Sequence, residues 1–117
     1  MTVIYRIQDR YGRGPWKPGF SRQWVEDRED LDNLAPMKVD INKVHLRNAC
    51  GYAMGFGCKT TAELRRWITP GEYEKLKEFG YRAVRMKVDG ILQEDDTQVL
   101  FERAFPLSHK VTVFKLY

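Results

Sequence analysis

The chain has 117 residues, with 20 basic and 16 acidic side chains and a formal net charge of +4. This length suits one ordinary domain, and a hydrophobic fraction of 43% with 13% aromatic residues excludes a largely disordered protein. No stretch approaches the roughly 20 apolar residues that span a bilayer, and the first residues lack the features of a secretory signal. We therefore expect one cytoplasmic domain over residues 1–117 that does not contact a membrane.

The chain opens with an alternating apolar pattern that predicts a strand over residues 2–8. Residues 9–20 are predicted to form a loop, because three glycines and two prolines interrupt regular structure there. Ser21 favours a short helix as its N-cap. An acidic run follows and is either a solvated face or a surface for a basic partner: Glu26, Asp27, Glu29, Asp30 and Asp32.

The segment from 37 to 58 carries weak patterns. Residues 42–50 fit a helix in which Val44 and either Leu46 or Ala49 face inward. Residues 51–58 are spaced by glycines, which indicates close backbone packing or a bend.

Two short consecutive helices are predicted over about 61–68 and 70–79. Each begins with a threonine followed three residues later by a glutamate, the pattern of a capping box: Thr60 with Glu63, and Thr69 with Glu72. Pro70 suits the first position of the second helix, and Gly80 is a natural stop.

Period-two patterns predict three further strands over 81–88, 97–103 and 110–116. Pro106 should prevent the last two from pairing with each other as one hairpin. Because the strands are grouped apart from the helices, we predict an α+β fold with a mainly antiparallel sheet of about four or more strands.

Two cysteines and two histidines would supply enough ligands for zinc, but their spacing is wrong for a structural site: His45, Cys50, Cys58 and His109. No metal site is predicted, and both thiols are expected to be free. In an alternative interpretation Cys58 is a nucleophile, because it precedes a helix N-terminus, where the helix dipole lowers a thiol pKa.

Arginine, lysine and aromatic residues concentrate in the first strand and the loop after it. A guanidinium group binds phosphate with two parallel hydrogen bonds, and an aromatic ring stacks on a base. We predict a binding surface that comprises Tyr5, Arg6, Arg10, Arg13, Trp16 and Lys17, with Arg65, Arg66 and Arg85 as secondary candidates. The alternative is a mobile loop that Trp16 and Phe20 pin to the core, with ordinary surface charge elsewhere.

Much of the chain resembles small phage and prophage proteins. The similar segments are Tyr5-Arg6, Gly12-Arg13-Gly14-Pro15, Phe56-Gly57-Cys58, Glu63-Leu64-Arg65-Arg66-Trp67, Thr69-Pro70 and Gln98-Val99-Leu100-Phe101. The resemblance implies an accessory protein that acts by binding a host protein or protein–nucleic-acid complex in the host cytoplasm. Because such proteins often antagonise host defence, it also implies an inhibitor similar to anti-CRISPR proteins.

A second resemblance is to the ADP-ribosyltransferases, in which an early arginine holds NAD and a late strand carries a glutamate before a Val-Leu pair. Arg6 matches that arginine, while Gln98 stands at the position of the glutamate. A neutral amide does not offset the positive charge of the transition state. The resemblance therefore implies an alternative in which NAD or another nucleotide is bound, with transfer activity in doubt. Direct nucleic-acid binding is a third hypothesis. Of the three, only the alternative that binds NAD requires a cofactor.

Overall fold

A computed structural model describes residues 2–27 and 37–117. Of the acidic run, Glu26 and Asp27 are described, whereas Glu29, Asp30 and Asp32 lie outside the described residues. The elements in chain order are β1 (Thr2–Gln8), a 3-10 turn (Ser21–Gln23), α1 (Ile41–Ala49), β2 (Ala53–Gly57), α2 (Thr61–Trp67), α3 (Pro70–Glu78), β3 (Arg82–Val88), β4 (Gly90–Glu94), β5 (Val99–Arg103) and β6 (Thr112–Phe114).

The strands form two antiparallel sheets, one in the order β1-β3-β6 and the other in the order β2-β5-β4. This arrangement confirms the predicted α+β class and its antiparallel pairing. Mutual backbone hydrogen bonds of 2.8 Å between Tyr5 and Cys58 connect β1 to the end of β2. As predicted, β5 and β6 do not pair, because they belong to different sheets.

Alternation along β1 gives the first sheet two distinct faces. Ile4 lies opposite Met86 and, with Val84, Val88, Val99 and Phe101, forms a core that joins the two sheets. Ile7 lies opposite Ala83 on the other face, where α2 and α3 cover it with Leu64, Ile68, Tyr73 and Leu76. Side chains of successive strand residues point to opposite faces, so one strand contributes to both cores.

The two predicted helices are confirmed within one residue at their ends. Thr69 begins α3 with a complete capping box: its side chain accepts from the Glu72 amide at 3.1 Å, and Glu72 accepts from the Thr69 amide at 2.8 Å. Thr60 accepts from the Glu63 amide at 3.1 Å, but the Glu63 carboxylate accepts from the Lys59 amide instead. Local side-chain chemistry therefore sets where both helices start.

Residues 37–58 differ most from expectation. The predicted helix is present as α1, capped by Asp40, but none of its residues is buried and Leu46 and Ala49 are exposed. The glycine-spaced segment is a strand, β2, and not a bend. A β-carbon on Gly55 would lie 2.1 Å from Arg6 Nη1 and 3.0 Å from Phe101 Cζ, so the close packing predicted for this segment is present.

Two smaller expectations also change. Ser21 begins the 3-10 turn but does not cap it, because Phe20 holds the N-cap position and makes no side-chain capping bond. The short strand β4 was not predicted, because a bulge between Ile91 and Gln93 interrupts its alternation. In the described ranges, no helix has the length and apolar character needed to cross a bilayer.

Candidate functional site

The first predicted site residues, Tyr5 and Arg6, are separated by the alternation of β1. Tyr5 lies directly opposite Arg85 on the neighbouring strand, so these two predicted residues share one face of the first sheet. Arg6 points to the other face, where only 7% of its surface is exposed. The predicted pair therefore does not form a single site.

Arg6 is an interior cation. Its Cζ lies 5.7 Å from the centre of the Phe101 ring, and its Nε and Nη1 have no hydrogen-bond partner in the described part of the protein. Burial lowers the pKa of Arg6 to about 10, and the nearby Asp9 carboxylate partly opposes this effect. A side chain enclosed in this way offers no accessible contact to the ribose of NAD, so the geometry does not favour the transferase hypothesis. Gln98 lies just before β5, and its backbone amide donates a hydrogen bond to Asp95 Oδ1 at 2.9 Å.

The rings and cations of the predicted loop are mostly engaged with neighbouring side chains. Trp16 contacts the rings of Trp24 and Trp67 at 4.5 and 6.1 Å. Lys17 Nζ lies 5.5 Å from the Phe20 ring centre. Arg10 and Arg13 both lie over the Tyr11 ring. Ring contacts of Trp16 and Phe20 thus join the loop to neighbouring elements, and Arg10, Tyr11 and Arg13 form its tip.

The secondary candidates Arg65 and Arg66 belong to α2. Arg65 donates to the Leu116 carbonyl at 3.0 Å and lies 5.9 Å from the Tyr117 ring centre, so it fixes the C-terminal residues to the helix. Arg66 is exposed on the same helix. Neither residue lines the cavity that contains Tyr5 and Arg85.

That cavity, which we call the basic cleft, lies on the part of the first sheet that the helices leave uncovered. It has a volume of about 640 Å³, within the size range of small-molecule sites. The sheet supplies part of its wall, and residues at and after the end of β5 supply the rest. The lining residues are Val3, Tyr5, Arg85, Met86, Lys87, Asp89, Arg103, Phe105, Lys110 and Thr112.

Positive charge dominates the basic cleft, because four cationic side chains line it together with one carboxylate: Arg85, Lys87, Arg103, Lys110 and Asp89. Asp89 Oδ2 accepts a hydrogen bond from the Ala104 amide at 2.5 Å. Arg85 and Lys87 are exposed, and neither makes an ion pair with any carboxylate in the described ranges. The lining therefore carries a net positive charge that attracts anions.

Arg103 fixes the wall of the basic cleft. Its side chain is 2% exposed and donates from Nη1 to the Pro106 carbonyl at 3.1 Å and from Nη2 to the Lys110 carbonyl at 2.9 Å. Its Nε is buried without a partner in the described structure. Burial lowers the pKa of Arg103, and Asp89 opposes the shift. These bonds hold Phe105, whose ring is 45% exposed and lies 4.1 Å from Lys110 Nζ.

Tyr5 and Arg85 of this cleft were predicted binding residues, whereas Arg103, Phe105 and Lys110 were not. These three come from the end of β5 and the following segment, and only the fold brings them opposite Tyr5 and Arg85. The available signal was weak: an exposed phenylalanine between basic residues, next to a proline.

Cys58 is not the activated nucleophile that its position before a helix suggested. It is 3% exposed, and burial raises its thiol pKa to about 12, with further contributions from Glu63 and Asp95. Desolvation outweighs the helix dipole at this position. Both cysteines are free, Cys50 at the surface and Cys58 in the core. No cluster of three potential metal ligands exists in residues 2–27 and 37–117.

The basic cleft combines four cations with two aromatic rings at its lining, which suits an anion that carries a planar group. Searches among curated proteins and among solved structures return no match for the chain. A family model described as Bacteriophage T4 Y00F protein matches residues 1–112, so the chain belongs to this phage protein family.

Proposed function

We propose that this phage accessory protein acts by binding single-stranded nucleic acid in the basic cleft. The observation that carries the proposal is the charge of its lining, in which four cations meet one carboxylate around a cavity of about 640 Å³. Phosphodiester groups are the anions that such a field favours, because each cation that contacts a phosphate releases a condensed counterion.

The aromatic residues favour an unpaired strand over a duplex. Phe105 presents nearly half of its surface to solvent at the rim of the cleft, and Tyr5 is half-buried in its wall. A base can stack on such a ring only when it is not enclosed in a double helix. Base stacking on Phe105 with phosphates on Arg85 and Lys87 would use exposed aromatic and cationic groups of the cleft together.

This proposal joins two of the hypotheses drawn from the sequence. A host complex that exposes single-stranded nucleic acid would be a partner of this protein, and occupation of that strand would inhibit the complex. The anti-defence role stays a prediction, and the binding step is the part that the charge and shape of the cleft support.

Fluorescence anisotropy with a labelled oligothymidylate of about 12 nucleotides tests the binding step. We expect Lys87→Ala and Arg85→Ala each to weaken binding and to reduce the slope of log Kd against log salt by about 1, because each removes a phosphate contact. Lys75→Ala on α3 removes the same charge from an exposed site outside the cleft and is the matched control. Equal losses in the Lys75 and Lys87 variants would show that only net charge matters and would contradict the proposal.

Phe105→Leu tests stacking separately from charge. The ring is exposed, so the variant should keep its circular dichroism spectrum and melting temperature. We expect the free energy of oligonucleotide binding to weaken by about 1–3 kcal/mol, with the salt dependence unchanged. An unaltered affinity would remove Phe105 from the binding surface.

A further inference from the structure

The turn after β1 presents a second cationic surface at the tip of the loop. The Tyr11 side chain is 60% exposed, and the guanidinium carbons of Arg10 and Arg13 lie 4.8 and 4.9 Å from its ring centre. Arg10 Nη2 also donates to the Tyr11 hydroxyl at 2.6 Å. An exposed tyrosine held between arginines has the composition of an interface hot spot.

Asp9 holds this turn in one conformation. Its Oδ1 accepts from the Tyr11 and Arg13 amides at 2.9 Å, and its Oδ2 accepts from Arg13 Nε at 2.9 Å. Burial acts to raise the pKa of Asp9, but the hydrogen bonds from Arg13 and Tyr11 outweigh it and lower the pKa. The turn is therefore ordered before any partner binds, which reduces the entropic cost of association.

Gly12 packs this turn against the segment after β5. It has a φ of +84°, and a β-carbon there would lie 2.9 Å from Leu107 Cβ. Any larger residue would both strain the backbone and push the two segments apart. The close contact at Gly12 therefore holds the turn against the segment that follows β5.

A cavity of about 300 Å³ lies beside the turn, and we call it the valine hollow. Three valines and two arginines contribute to its lining: Val84, Val111, Val113, Arg10 and Arg82. Val113 is 60% exposed. Arg82 is fixed by hydrogen bonds from Nη1 to the carbonyls of Lys77 and Tyr81. The carboxylate that also lines the hollow, Asp9, is already paired with Arg13.

This chemistry differs from that of the basic cleft. The valine hollow has methyl groups and no aromatic ring in its lining, and the nearby Tyr11 ring already carries two guanidinium groups. A nucleic-acid base would find no flat ring on which to stack. An apolar side chain would bury its surface against the valines, while carboxylates beside it would pair with the arginines.

We propose that the valine hollow and the Asp9–Arg13 turn dock an acidic segment of a partner protein, with one apolar side chain in the hollow and carboxylates on Arg10 and Arg82. The docking surface is separate from the basic cleft, because Val84 and Arg85 are successive residues of β3 and point to opposite faces. A partner protein and a nucleic-acid strand therefore bind at the same time.

The test is an NMR titration of the uniformly ¹⁵N-labelled full chain with a synthetic peptide of about 12 residues, in which glutamate and aspartate flank a central leucine. We expect amide shifts in residues 9–13 and 111–113, and little change around Lys87. A control peptide with glutamine and asparagine at the acidic positions should not shift these amides. Shifts confined to the basic cleft, or equal shifts with the neutral peptide, would overturn the proposal.

Variants locate the contact. We expect Arg10→Gln and Arg82→Gln each to weaken peptide binding about tenfold, since an interfacial charge pair contributes on the order of 1.4 kcal/mol or more. Lys75→Gln is the matched control and should change the affinity less than twofold. Val113→Asp places a negative charge in the hollow at an exposed position and should abolish peptide binding. An unchanged peptide affinity in Val113→Asp would overturn the proposal.

The same variants separate this proposal from the proposed function. Val113→Asp and Arg82→Gln should bind the oligothymidylate as the parent protein does, whereas Lys87→Ala should bind the acidic peptide as the parent protein does. Failure of oligonucleotide binding alone would leave the docking surface in place. Loss of both ligands in Val113→Asp would show one shared basic surface and would refute the separate docking site.

Discussion

The two ends of one face of the first sheet differ in whether helices cover them. At one end, Ile7 and Ala83 are buried beneath α2 and α3. At the other end, Val3 and Lys87 occupy equivalent positions in the same register but line the basic cleft. The strands are regular at both ends, so the difference comes from how far the helices extend over the sheet. Where the helices stop, the same alternation places charged and aromatic side chains at the surface instead of apolar side chains in a core.

The two ends of this single pair of strands also differ in polarity. The covered end is apolar and its polar groups are satisfied locally, as in the capping box of α3. The uncovered end carries charges that have no carboxylate partner in the described residues. Substitutions should therefore affect folding at one end and binding at the other.

The largest effect is expected at the covered end, with Leu76→Ala. Leu76 is fully buried between α3 and the sheet, so truncation removes apolar contacts and leaves a cavity. We expect the free energy of unfolding in urea to fall by about 2–5 kcal/mol. A loss below about 1 kcal/mol would indicate that the helices do not pack tightly on this end of the face.

A smaller effect is expected from Thr69→Ala, which removes the N-cap of α3. The Thr69 hydroxyl accepts from the Glu72 amide and also donates to Glu26 at 2.6 Å. We expect a loss of about 1 kcal/mol in the free energy of unfolding. Thr69→Ser retains the oxygen and should recover most of the stability; equal losses in both variants would show that the cap is not the cause.

The smallest effect on stability is expected from Lys87→Ala at the uncovered end. Lys87 is exposed and makes no ion pair in the described part of the chain, so the free energy of unfolding should change by less than about 0.5 kcal/mol. A larger destabilisation would mean that the cleft contributes to folding, and the contrast between the two ends would then fail.

Structure that depends on neighbouring residues was predictable from the sequence. The starts of α2 and α3 follow from a threonine and a glutamate three residues apart, with a proline between them in α3, and β1 and β3 follow from their alternation. These signals need no knowledge of the rest of the chain. Tyr5 and Arg85 were each predicted as binding residues and placed on strands, but only the structure shows that they lie opposite each other.

Structure that depends on distant residues was not predictable. β2 is glycine-rich and becomes a strand because it pairs with β5, which lies more than 40 residues later in the chain. Likewise, the basic cleft forms where the segment after β5 lies beside β3. Hydrogen bonds from Arg103 to the Pro106 and Lys110 carbonyls hold that segment in place. Strand pairing of this kind is a tertiary property that overrides local propensity. The sequence therefore identified several of the charges without showing which of them share a cavity.

The attachment of α1 has a consequence for how the molecule responds to its surroundings. Because no side chain of α1 is buried, the helix is held largely by polar contacts, chiefly the two hydrogen bonds from Arg47 to Glu102. Mobile ions screen a part-buried pair of this kind much less than an exposed one. The attachment of α1 should therefore persist as the ionic strength rises, along with the packing of the two hydrophobic cores.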